Sequence, residues 1–183
     1  MPPIADKHLE ERILKAAQRI VCARGEDGLT LRAVAREAKT TTPTLYKRFR
    51  NKEALRLALA HRFREEMTSD LLSSPSIEEG HRRYMGYVEA HPREYELLCL
   101  HWGHFFPSPR PFRSWLLTQL AARFGGKPEE YSAVYEGIFL ICHGASTLLI
   151  SAPDRNVLEA TREICTKVCD ELLKNAQLFR SVH

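Results

Sequence analysis

Side chains able to do chemistry gather at a few places in this sequence. Cys99-Leu100-His101-Trp102-Gly103-His104 sets a thiol and two imidazoles in one short stretch, with His91 just upstream. Sulfur and imidazole together are a donor set for zinc or copper. The spacing fits no standard metal site, and such a stretch at a helix end more commonly makes an aromatic, polar wall, so no metal is assigned. Cys165 and Cys169 stand four apart, which on a helix would align them for redox chemistry or a metal. Like Cys22, Cys99 and Cys142 they lie among apolar neighbours, and packing as reduced core thiols is preferred. His143 sits beside Gly144 in an apolar run, where a satisfied core histidine competes with a polar group lining a ligand cavity. No Gly-x-Ser-x-Gly, Gly-x-Gly-x-x-Gly or Gly-Lys-[Ser/Thr] loop occurs. No catalytic residue and no cofactor are therefore assigned, and the chain is not read as an enzyme.

A different chemistry stands out between Ala38 and Lys52, where Lys39, Lys47, Arg48, Arg50 and Lys52 occur without an acid. Residues 1–55 hold 12 Lys and Arg against 7 Asp and Glu, while residues 56–183 hold 15 against 16. The net charge of +4 thus resides at the N-terminal end. A basic run alone is usually a solvated surface; here its surroundings point to phosphate, and so to double-stranded DNA.

Those surroundings are the elements that must carry the charges. Thr30 caps a helix whose apolar Leu31, Val34, Ala35 and Ala38 recur at helical spacing, leaving Arg32, Arg36 and Glu37 to water. Lys39-Thr40 breaks the period, and Thr41 caps a second helix of about two turns with Pro43 in its first turn. Leu45 and Phe49 anchor that helix. Its outward residues Thr42, Pro43, Thr44 and Lys47 are short or positive, a face that can approach a major groove. On this basis Arg32, Thr42, Pro43, Thr44 and Lys47 are expected at base edges, and Thr30, Thr41, Tyr46 and Lys52 at phosphates.

At these residues the chain resembles the tetracycline-repressor (TetR) family of bacterial transcription regulators. The resemblance rests on Arg12-Ile13-Leu14-Lys15-Ala16-Ala17, Gly25, Leu29-Thr30 through Ala38, Thr41 to Tyr46, Phe49, and Asn51-Lys52-Glu53-Ala54-Leu55. The sequence departs from the family in the turn, where Lys39 and Thr40 replace the usual Gly and Val. Lys39 must then accept or avoid a left-handed conformation. The likeness is strong over the first 55 residues or so and faint beyond. It implies a DNA-binding head followed by a ligand-binding, dimerising domain. His91 to Leu98 and His143-Gly144 are weakly similar to one ligand-binding type in that family.

The remaining sequence reads as helices throughout. Residues 7–24 carry Leu9, Ile13, Ala16, Ala17, Ile20 and Val21 on one face, and Gly25 ends them. Asn51 caps a long helix to about Leu72 that crosses into the second domain. Ser76 restarts a helix to Ala90, His91-Pro92 stops it, and Arg93 to about Trp102 follows. After a proline-rich loop come helices over Phe112–Phe124, from Pro128 to about Ser151, and from about Asp154 to Leu178. The fold class expected is all-α with about nine helices: a helix-turn-helix domain over 1–53 and a helical domain over 54–183.

At 183 residues and 44 % hydrophobic content the chain can bury a sizeable core. No apolar run is judged to reach the ~18 to 20 residues of a membrane span, and Met-Pro-Pro-Ile-Ala-Asp lacks a signal-peptide order, so a cytoplasmic protein with no membrane partner is expected. Tyr84, Trp102, Phe105, Trp115 and Phe139, with His143, are expected to border a cavity for a small, mainly apolar effector. The helix after Pro128 is too apolar to bury one face only. Tyr131, Ile138 and Leu148, with Ile164, Val168 and Leu172 of the last helix, are expected to form a homodimer interface. The expected activity is ligand-released repression at a near-palindromic operator. Two rivals are a DNA-binding protein with a ligand-blind, partner-controlled second domain, and a metal-dependent enzyme using Cys99, His101 and His104.

Overall fold

A computed structural model describes residues 7–105, 110–151 and 154–181. The described residues form nine α-helices and four 3-10 turns, and no strand. Helix α1 (Lys7–Arg24) buries Ile13, Ala16, Ala17, Ile20 and Val21 on the stripe that the 3.6-residue period dictates. It ends at Gly25, whose φ of 68° suits a residue without a Cβ. A 3-10 turn (Glu26–Gly28) leads to α2 (Leu31–Glu37), α3 (Thr42–Tyr46) and the long α4 (Lys52–Leu72). Then come α5 (Ile77–Ala90) and α6 (Pro92–Leu100), separated at His91 because a residue before proline avoids the helical region. Beyond a 3-10 turn at Trp102–Phe105 lie α7 (Pro111–Phe124), a 3-10 turn at Pro128–Tyr131, α8 (Ser132–Ser151), α9 (Arg155–Lys174) and a 3-10 turn at Ala176–Phe179.

The helix expected to open at Pro128 therefore begins as a tighter turn. The last helix also closes earlier than expected, at Lys174. There the Asn175 amide donates to the Glu171 carbonyl at 2.9 Å, capping it from the side chain.

These elements divide into two compact units, Met1–Glu65 with His91–Phe106, and Glu66–Ala90 with Pro107–His183. In the first, α2 and α6 pack on α1, and α3 packs on α2. Leu29, Val34, Leu45, Leu55, Leu59, Phe63, Tyr95 and Leu98 are buried there. Arg62 on α4 braces α1, donating through Nη1 to both Glu11 oxygens at 2.9 Å and through Nε to Gln18 at 3.0 Å. The Arg62 hydrogen bond holds the Glu11 carboxyl below the usual range. Helix α6 is tied to α1 by polar contacts: the Cys22 thiol donates to Glu94 at 2.8 Å, and Arg93 donates to the Cys22 carbonyl at 2.7 Å.

In the second unit α5, α7, α8 and α9 pack together. Met85, Val88, Leu116, Leu117, Leu120, Tyr131, Val134 and Ile138 are buried. Tyr131 loses nothing by burial, since its hydroxyl donates to the Gly125 carbonyl at 2.7 Å. The segment Pro128–Ser151 has a mean hydropathy of 1.5 and is long and apolar enough, by length and composition, to cross a membrane. This corrects the expectation that no run reaches that length. Core helices of soluble proteins reach the same length and hydropathy.

Candidate nucleic-acid interface

The four-residue break between α2 and α3, Ala38 to Thr41, is the pivot of the site. Thr30 caps α2 by accepting from the Ala33 N–H at 3.1 Å, and Thr41 caps α3 by accepting from the Thr44 N–H at 3.3 Å. Between the caps, the Thr40 N–H reaches the Ala35 carbonyl at 2.9 Å and the Lys39 N–H reaches Arg36 at 3.2 Å. This pair of bonds is the Schellman closure, which needs a left-handed residue after the helix. Lys39 fills that position with φ 51°, alone among the described non-glycine residues. The chain thus accepts the left-handed conformation despite the missing glycine.

Leu45 and Phe49 are buried and fix α3, leaving Pro43, Tyr46 and Lys47 exposed and Thr42 and Thr44 half-buried. The Thr41 and Thr44 hydroxyls lie 2.8 Å apart and share one hydrogen bond, so one O–H of the pair remains to donate elsewhere. Thr30 and Arg32 are exposed on the neighbouring helix start, and Lys52 is half-buried in the first turn of α4. Asn51 caps that turn, accepting from the Ala54 N–H at 2.8 Å.

The cations fall into two sets. Arg19, Arg56 and Arg62 are consumed by Glu37, Glu26 and Glu11 at 2.9, 2.6 and 2.9 Å. Arg32, Lys39, Lys47, Arg50 and Lys52 make no ion pair among the described residues. The run from Lys39 to Lys52 thus keeps its positive charge unneutralised.

The expected ligand residues are split between the units. Trp102, half-buried, belongs to the first; the Phe105 side chain lies outside the described residues. In the second, Tyr84 is buried while Trp115, Phe139 and His143 are half-buried. Phe139 and His143 stack at 5.7 Å and 12°, and Tyr135, not among the expected ligand residues, stacks on Phe139 at 6.4 Å and 10°. Positions 135, 139 and 143 are successive turns of α8, a spacing that was readable in the sequence. Arg110 and Arg113 lie 5.6 and 5.8 Å from the Tyr135 ring centre and approach Glu136 at 3.2 and 3.5 Å. Burial holds the His143 ring below its ordinary pKa, so it stays neutral there.

Of the residues expected at a dimer contact, Tyr131 and Ile138 are buried, Leu172 is half-buried, and Leu148, Ile164 and Val168 are exposed. Leu140 and Val157 join the exposed set. Cys99, His101 and His104 do not converge as a donor set. Cys99 is half-buried with its thiol pushed up to about 11 by burial, His101 is buried against Glu53 at 3.5 Å, and His104 is exposed with its ring 6.0 Å from that of His101. Three other thiols do converge, those of Cys142, Cys165 and Cys169. Cys142 was missed as their partner because it lies on another helix, and spacing within one helix says nothing about a residue 23 positions away.

Residues 13–59 match the sequence profile of a family described as "Bacterial regulatory proteins, tetR family". No curated protein matches the chain in sequence. Among solved structures, TetR from Acinetobacter baumannii AYE is similar with a TM-score of 0.70 at 19 % identity, over 93 % of this chain and 97 % of that one. A variant of that TetR in complex with minocycline gives 0.69 at 18 %, over 93 % and 97 %. The multidrug binding protein EbrR complexed with ethidium gives 0.62 at 21 %, over 89 % and 99 %. The profile falls on the α1 to α4 segment that holds the capped turn and its spare cations, and the whole-chain fold is that of TetR structures. Residues 13–59 thus carry the sequence pattern of the bacterial regulatory proteins of the tetR family, and the chain as a whole has the fold of TetR structures.

Proposed function

We propose that the protein is a homodimeric, cytoplasmic repressor that leaves a near-palindromic operator when a small, mainly apolar molecule binds its second domain. The observation that carries the DNA side is the Schellman-closed turn with five cations unspent beside it. Residues 1–53 form the reading head, with Arg32, Thr42, Pro43, Thr44 and Lys47 at base edges and Thr30, Thr41, Tyr46 and Lys52 at phosphates. Residues 54–183 bind ligand and dimerise.

Support for the dimer comes from the exposed apolar residues. Leu140, Gly144 and Leu148 recur every fourth residue on α8; Val157, Ile164 and Val168 follow a seven-and-four spacing on α9. Pairing both stripes with their two-fold copies makes a four-helix contact. Two heads then engage half-sites about one turn, roughly 34–36 Å, apart or a multiple of it.

Support for a ligand comes from the half-buried ladder Tyr135, Phe139 and His143, with Trp115 half-buried in the same unit, and from the minocycline and ethidium complexes of proteins that share the fold. Helix α4 begins with Lys52 and runs unbroken to Leu72, so a ligand that favours one placement of it changes the separation of the heads. Coupling of about 1–3 kcal/mol gives roughly 5- to 150-fold relief.

The experiment is operator selection followed by anisotropy at fixed salt. Arg32→Ala should cost roughly 1–3 kcal/mol and relax preference at one base pair, whereas Lys52→Ala should weaken all sequences alike. The reverse pattern overturns the assignment of roles. A chain that selects no DNA sequence at all overturns the function.

A further inference from the structure

Three thiols from distant parts of the sequence meet in the second unit. Cys142 Sγ on α8 lies 3.8 Å from Cys169 Sγ and 3.9 Å from Cys165 Sγ on α9, and the three sulfurs lie within 4.8 Å of one another. All three are buried. Zinc holds thiolates at about 2.3 Å, which sets sulfurs at neighbouring corners of a tetrahedron about 3.8 Å apart. Two of the three sulfur pairs already have that spacing.

A second observation lies on α5, which packs on both α8 and α9. The His81 side chain is 0 % exposed, and neither ring nitrogen has a hydrogen-bond partner. A buried imidazole with two unmet nitrogens is costly unless something else engages it. Its Nε2 faces Asp170 Oδ1 at 3.4 Å, and that carboxylate is held by Arg82 through its other oxygen at 2.6 Å. A carboxylate behind the imidazole is the arrangement that orients histidine ligands toward metals.

We propose that Cys142, Cys165 and Cys169, with His81 as fourth ligand, form a buried site for a thiophilic d10 cation, zinc(II) or copper(I). On binding, the three S–H protons leave to solvent, three metal–sulfur bonds form and nothing is oxidised. His81 Nδ1 donates its lone pair while Nε2–H turns to Asp170. Simple packing accounts for buried cysteines singly; it does not account for three thiols from two helices meeting at donor-set spacing, with a fully buried imidazole on the helix packed against both.

The test uses the full chain, reduced and stripped of metal, with Co2+ as probe, offered both to the native protein and during refolding from denaturant. One equivalent should produce an intense near-ultraviolet sulfur-to-cobalt charge-transfer band, displaced by Zn2+. Cys142→Ser and Cys169→Ser should lower the band and weaken retention at least tenfold, while Cys22→Ser and Cys99→Ser leave it unchanged. His81→Gln should keep the charge-transfer band and alter the visible ligand-field bands. Circular dichroism of each variant separates lost ligation from lost fold, and Cys142→Ala serves if the serine variant unfolds. A parallel Cu+ titration against a chelator decides between the two ions. The proposal fails if neither route loads one equivalent of Co2+, Zn2+ or Cu+, or if the band survives Cys142→Ser. It also fails if Cys22→Ser or Cys99→Ser removes the band. None of these readouts involves DNA, so the proposed operator function stands or falls separately.

Discussion

Lys39 holds a backbone conformation that costs an L-residue roughly 1 kcal/mol relative to glycine, and it does so inside a turn that both neighbouring helices depend on. Lys39→Gly should therefore stabilise the protein by about 1 kcal/mol, read as a higher thermal midpoint. If Lys39 also meets a phosphate, the salt dependence of operator binding should fall by about one unit of slope in the same variant. A fall in midpoint would show that the Schellman geometry is wrong. His101 offers a second test at this scale. Burial lowers its pKa from 6.5, more than the neighbouring Glu53 raises it. The unfolded chain then takes up the proton first, so His101 removes stability as pH falls below about 6.5. Chemical denaturation at about pH 7.5 and about pH 5.5 should show a smaller loss in His101→Gln than in the parent. An equal or larger loss would mean that Glu53 dominates instead.

Among elements, the ones legible in the sequence are those fixed by local chemistry. The α1 boundaries, the Thr30 and Thr41 caps, the Asn51 start of α4 and the stop at His91-Pro92 all follow from hydroxyls, carboxamides, proline and glycine acting within a few residues. What escaped the sequence lies between elements. Cys142 meets Cys165 and Cys169 only because α8 and α9 pack, and Tyr131 and Ile138 could not be told from outward residues on a helix apolar all round. The ladder on α8 is intermediate: its spacing was visible, its half-exposure was not. Phe139→Ala should interrupt that ladder and weaken a thermal-shift ligand at least tenfold, while operator affinity without ligand stays within about twofold. Unchanged ligand binding would remove the ladder from the pocket but leave the regulatory scheme standing.

At the scale of the whole molecule, the second unit presents exposed apolar side chains that its own chain leaves uncovered, Leu140 and Leu148 on α8 and Val157, Ile164 and Val168 on α9. Leu148 is 55 % exposed and Ile164 62 %, so a charge at Leu148 costs the lone chain little. Leu148→Glu should therefore yield a folded monomer by sedimentation at micromolar concentration that no longer binds operator. A wild-type protein that is itself monomeric there would sink the two-fold arrangement. That uncovered face also makes gene control nonlinear in protein supply. If only paired chains engage an operator, occupancy at low abundance rises with the square of the number of chains, so halving synthesis costs close to three-quarters of the bound state. Dilution at cell growth would then act as a switch of its own, with no effector present.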